Sequence, residues 1–210
     1  MAQKIDQGMI MTALDYCYNK AISGLPGFDT AEELAREYMA GEGNLKSKAD
    51  SLVRWQIAKA GASGFLTGLG GIITMPVAIP ANITSVLYVQ IRMIAAIAVM
   101  GGHDVREDKV KTLVYMCLCG SAVADFLKDV GIHVGSKLTV SAISKISGAT
   151  IAKINQAVGF RLLTKFGQTG AVNLGKAVPF IGGIIGGAVD SFTTNTIGDV
   201  AVITFIAEPS

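Results

Sequence analysis

The residues with most chemical promise are the glycines of Gly64-Phe65-Leu66-Thr67-Gly68-Leu69-Gly70-Gly71, whose density suggests a loop that cradles phosphate with backbone amides. The detail argues against it. A Walker loop ends in Gly-Lys-Ser/Thr, and here Ile72 and Ile73 follow the glycines; a dinucleotide fingerprint needs a third glycine where Ile73 stands. No cation lies nearby to meet a phosphate, so close helix packing is the simpler role. His103 and His133 are the only histidines, too few for the three or four ligands of a zinc site. His103, at a helix start, is expected to be exposed. Cys117 and Cys119 are two apart on an expected helix and point away from each other, so they do not chelate together. Ser63 lacks the Gly-x-Ser-x-Gly elbow of a nucleophile. Glu107 with Asp108, and Asp125 with Asp129, read as solvated carboxylates or ion pairs. No catalytic, cofactor-binding or metal-ligating residue is expected, nor a small-molecule substrate.

The elements around these residues are helical. Ile5, Met9, Leu14, Tyr18 and Ile22 recur at near-helical spacing over about residues 2–23. Thr30-Ala31-Glu32-Glu33 is a capping box opening a short acidic helix to about Ala40. Ser47-Lys48-Ala49-Asp50 is a looser box ahead of a helix through Leu52, Trp55 and Ile57. From Ala60 to Ile91 there is no charge, which by length would allow a bilayer span. Gly61, Gly64, Gly68, Gly70, Gly71, Pro76 and Pro80 break it up, so a buried helical hairpin is expected, with a helix from about Pro80 to Met100 stopped by Gly101-Gly102. Asp104, paired with Glu107, is expected to cap a helix running to about Lys128. Gly148 divides the region that follows into two helices, and a last helix covers about Ala188–Ala207, where frequent Val, Ile and Thr leave a strand as the alternative. Gly182 with Gly186, and Gly183 with Gly187, stand four apart, a spacing that favours close helix contact. The expected fold is all-α: a single compact helical domain with buried Gly/Pro-rich helical hairpins. Residues 1–59 supply N-terminal helices that pack on a core of 60–210.

Half of the 210 residues are hydrophobic and 16% are charged, against roughly 25% in an ordinary soluble domain. Such a chain either buries its helices unusually well or is partly immersed in a membrane. The N-terminus has no sustained apolar core of a secretory signal, and three cysteines fit reduced thiols in a cytoplasm. Charge is segregated: residues 130–189 contain six basic residues and no acid, while the rest has 12 basic and 16 acidic residues. With a break at Gly148, Lys153, Arg161 and Lys165 fall within an arc of about 120°, read as a cationic face opposite Ile151, Ile154, Val158 and Leu162. That apolar face either joins the core or meets a membrane. Phe160 and Phe166 are the only aromatics among these cations, so direct nucleic-acid binding is not expected.

An ordered set of short motifs resembles the EcsC family. It comprises Thr67-Gly68-Leu69-Gly70-Gly71, Met75-Pro76, Ile79-Pro80-Ala81, Gln90-Ile91-Arg92, Ile94-Ala95-Ala96-Ile97-Ala98 and Gly102-His103-Asp104. The stretch Pro179–Gly187, with Gly182 and Gly186, is similar to the family's second glycine-rich segment. The resemblance implies a largely helical protein with no established catalytic residues to carry over, and it makes Arg92 and Asp104 the charged family-like positions. It also implies one of two settings. Small stand-alone members resemble immunity proteins that neutralise toxins delivered between bacteria, ribonucleases included. The founding member is encoded beside an ABC transporter and is associated with membrane-linked processing and secretion.

Two functions are therefore expected of a non-catalytic binding protein. The first is an immunity protein that covers the active-site face of a protein toxin. Asp29, Glu32, Glu33, Glu37 and Glu42 are the docking candidates, since a nuclease groove is cationic. The alternative is a cytoplasmic accessory protein held at an anionic membrane surface, or on a transporter subunit, through Lys153, Arg161 and Lys165.

Overall fold

Local sequence rules set most helix boundaries in the computed structural model, which describes residues 5–61, 79, 81–120, 143–172 and 182–206. The described helices are α1 (Gln7–Ser23), α2 (Ala31–Met39), α3 (Leu45–Gly61), α4 (Ala81–Met100), α5 (Asp108–Cys117), α6 (Gly148–Val172) and α7 (Gly182–Phe205). The fold is all-α, and the last helix is no strand.

Asp6 caps α1, its carboxylate accepting from Met9 N at 2.8 Å. The Thr30 box forms as its spacing requires: Glu33 N donates to Thr30 Oγ1 at 3.1 Å and Thr30 N to Glu33 Oε2 at 2.8 Å. Two other caps differ from expectation. Helix α3 starts three residues early because Asn44, not Ser47, takes the cap: Ser47 N donates to Asn44 Oδ1 at 2.8 Å. Asp104 lies in a turn ahead of α5, where its Oδ1 accepts from Arg106 N, and Glu107 sits at the cap of α5 without a side-chain hydrogen bond there. Helix α5 ends at Cys117, well before Lys128. Helix α6 begins at Gly148, with Ser147 Oγ accepting from Thr150 N. Helix α7 begins at Gly182, six residues ahead of the expected start, so Gly182 and Gly186 lie in its first turns.

Helix α4 is the axis of the fold and packs against α1, α2, α3, α5 and α7. Its stretch Ile83–Met100 is long and apolar enough to cross a bilayer, yet 89% of it is buried inside the protein. Tyr88, Ile91, Met93, Ile94 and Ile97 on it are all fully buried. Buried hydrogen bonds tie it outward, with Gln90 Nε2 donating to Thr194 Oγ1 of α7 at 3.2 Å and Cys17 Sγ of α1 donating to Thr84 O at 3.6 Å. Helices α1 and α5 meet at a polar knot: Tyr115 Oη donates to Asp15 Oδ1 at 2.8 Å and Lys111 Nζ pairs with the same carboxylate at 2.6 Å.

The end of α4 holds the end of α7. His103 N donates to Ala98 O and Gly102 N to Val99 O, a Schellman closure that needs Gly102 at φ +82°. The turn buries the His103 residue to 6% exposure, its ring edge-on to that of Phe205. An exposed position was expected here; the ring is instead drawn in by α7, more than 90 residues away in sequence. Burial pulls the His103 pKa below its usual 6.5, only partly offset by the Phe205 carbonyl and Glu107. A histidine lowered on folding stabilises the protein fully above its unfolded pKa and progressively less as pH falls through the folded one. The stability advantage of the wild type over His103→Gln, from urea midpoints, should therefore be larger at pH 7.5 than at pH 5. An advantage that grows on acidification would contradict this environment.

The expected hairpin bearing Gly64, Gly68, Gly70, Gly71, Pro76 and Pro80 lies outside the described residues, as do His133, Asp125 and Asp129.

Candidate functional site: a groove between the second and third helices

The antiparallel pair α2 and α3 leaves a groove of about 480 Å³ along its outer side. One wall carries Glu37, Tyr38 and Glu42 from α2 and the turn after it; the other carries Ser51, Trp55 and Lys59 from α3. The local cause is the α3 register. Ala49, Leu52, Val53 and Gln56 share one face of the helix and are buried, and Trp55, about 110° from the middle of that face, turns outward. It is 57% exposed, and a smaller depression with Arg54 and Ala58 adjoins its other side. Lys48 closes the near end, its Nζ donating to the Met39 carbonyl at 2.8 Å and so satisfying the last turn of α2.

The five acidic candidates divide by what they already touch. Glu33 is used by the capping box, whose bonds from the Thr30 backbone and hydroxyl hold its pKa low. Glu32 pairs with Arg106 at 2.7 Å. Asp29 is exposed in the turn before α2 and uses its backbone carbonyl to accept from Arg92. Glu37 and Glu42 are exposed at the groove and make no ion pair with the described residues. Two of the five thus remain available beside an exposed tryptophan. Sequence reasoning placed Trp55 in the helix through Leu52 and Ile57 and gave it no role; the cue was its angular distance from the face that Ala49, Leu52, Val53 and Gln56 share.

The cationic candidates sit apart from this groove, on α6. Lys153, Arg161 and Lys165 are all exposed. Ile154, Val158 and Leu162 have exposures of 1%, 0% and 1%, so this apolar stripe belongs to the core. Arg161 and Lys165 border the stripe rather than stand opposite it, close enough to Cys119 for their charge to act on its thiol. Burial outweighs that effect and pushes the Cys119 pKa up to about 12, as it does for Cys17 and Cys117. A thiol held protonated is a poor nucleophile and a poor metal ligand. Among the described residues no group of three His, Cys, Asp or Glu side chains is placed to hold a metal ion.

The EcsC protein family profile matches residues 43–206, from the cap of α3 to the end of α7. The chain belongs to the EcsC family. No curated protein and no solved structure matches it. The EcsC match begins before residue 60, and α3 runs unbroken across the 59/60 position. It also divides the groove: the α3 wall lies within the matched segment, and the α2 wall, with Glu37 and Tyr38, precedes it. Of the family-like charged positions, Arg92 is buried at 3% exposure and Asp104 is exposed in its turn.

Proposed function

We propose that this EcsC protein is a non-catalytic binding protein, and that its partner is a protein toxin which it neutralises as an immunity protein by covering a basic active-site face. The observation that carries the reading is the meeting of Trp55, more than half exposed, with Glu37 and Glu42, which have no ion pair among the described residues, at one groove. Tryptophan is enriched among residues that dominate binding energy, because a large rigid ring buries much area at little entropic cost. Carboxylates at its edge speed encounter with a basic partner and set orientation. The α2 wall, outside the family match, offers a place where one member can differ from another in what it binds. Nuclease toxins, whose substrate grooves are cationic, suit such a surface.

The test begins with the neighbouring gene. Co-expression with a toxin encoded beside this chain should restore growth, and the purified proteins should associate more tightly at low salt. Trp55→Ala should weaken that association about 30-fold or more, and Glu37→Gln with Glu42→Gln should slow association and flatten its salt dependence. A purified pair that does not bind, or binding indifferent to all three changes, ends the reading.

A second reading rests on a separate observation. Phe160 is 66% exposed on α6, between exposed Lys153 and Arg161. An outward aromatic among cations suits attachment to an anionic cytoplasmic membrane face, or to a transporter at that face, with each basic residue contributing about 1 kcal/mol. The chain would then sediment with anionic vesicles at low salt and be released at high salt, and Phe160→Ala would weaken it. Absence of sedimentation at low salt rules this version out.

A further inference from the structure

Arg92 stands out as a buried charge with too few partners. It projects from the middle of α4 at 3% exposure, between the rings of Phe28 and Tyr88, 5.7 and 5.8 Å from their centroids. A guanidinium stays ionised in any protein environment and offers five N–H donors. Here Nη1 donates to Asp29 O at 3.2 Å and Nη2 to Gln56 Oε1 at 3.4 Å, both neutral acceptors. No carboxylate among the described residues pairs with it. Among the described residues its Nε has no acceptor, and neither does Gln56 Nε2 beside it. Tyr88 Oη, one turn back on α4, is close enough to Arg92 for the guanidinium to hydrogen-bond to it, and its own proton finds no acceptor among the described residues. Gln56 and Tyr88 are both fully buried.

The three atoms share one character: each has a proton to donate and no acceptor for it among the described residues. A buried cluster with surplus donors and a full positive charge is what an anion site requires, since an unpaired buried charge is costly and buried polar groups are normally satisfied. The two ring faces supply part of the compensation. A neutral water could accept from the donors but would leave the charge unbalanced.

We infer that Arg92, Gln56 and Tyr88 form a binding site for one small monovalent anion, halide- or carboxylate-sized, wedged where α3, the turn before α2 and α4 meet. The burial of all three side chains restricts the site to a small ion, and the bound charge would tie α3, the turn before α2 and α4 together.

The probe is sodium chloride, with sodium formate as a second small anion, each exchanged against sodium gluconate at constant ionic strength. The melting temperature of the full chain should rise saturably with chloride or formate, by about 2–4 °C, and stay flat in gluconate. Arg92→Met replaces the charge with an apolar chain of similar length and should abolish the anion dependence. Because that variant removes three polar contacts, Gln56→Leu provides a second arm, in which the half-saturating chloride concentration should rise about tenfold. Broadening of the chloride-35 resonance by wild type, relieved by formate, reads the ion directly. Equal melting temperatures in chloride and gluconate, or an anion dependence unchanged in both variants, would overturn the assignment.

Discussion

Gly101→Ala is expected to lower stability to unfolding by about 3 kcal/mol, the upper end of what overpacking costs. A Cβ at Gly101 would collide with the carbonyl oxygen and carbon of Phe205. Those are backbone atoms of α7, held in place by the Ile206 N to Val202 O hydrogen bond and by the buried side chains of Phe205 and Ile206. No rotamer change can make room, so either the turn after α4 opens or the end of α7 lifts away. Gly102 is the natural control. Its φ of +82° disfavours a side chain, but the space around it is open, so Gly102→Ala should cost about 1–2 kcal/mol. Urea unfolding of the three proteins would measure both. Equal losses at the two glycines would mean that α7 does not dock on the α4 turn as described.

Ile94→Ala should cost about 2–5 kcal/mol. Ile94 is fully buried on α4, the helix that touches five others, and the loss of its outer carbons leaves a space that five packed elements cannot all close on. The groove is on the far side of α2 and α3, and no atom of Ile94 lines it. The folded fraction of Ile94→Ala should therefore bind a partner with wild-type affinity. Trp55→Ala should show the reverse, with stability within about 0.5 kcal/mol of wild type as for other surface changes, and binding lost. If Ile94→Ala weakened binding in the folded state, the groove would depend on core packing. If Trp55→Ala unfolded the chain, its exposed ring would be structural.

The features legible in the sequence are those set by neighbours within one helical turn. The Thr30 box, the Gly101-Gly102 stop and the Gly148 start all depend on residues five or fewer positions apart, and all are found. The all-α fold and the EcsC membership follow from the same short-range patterns in order along the chain. Even at this range competing caps were hard to rank. Asn44 and Ser47 both offer a cap for α3, and Asn44 prevails, its side chain accepting from Ser47 N and its backbone carbonyl from the Ser47 hydroxyl.

What only the tertiary structure decided is which polar side chains are enclosed and which apolar ones are not. Arg92 reads as a lone charge in an apolar helix until Phe28, Asp29 and Gln56, between 36 and 64 positions earlier, close around it. His103 reads as a surface residue until Phe205 arrives. Trp55 reads only as one residue of a helix with Leu52 and Ile57, and the apolar stripe of α6 as a choice between core and membrane, until the partner helices take their places. Burial depends on the sum of surfaces from distant segments, whereas capping depends on a few adjacent dihedral angles; one is written locally in the residues, and the other exists only once the helices have packed.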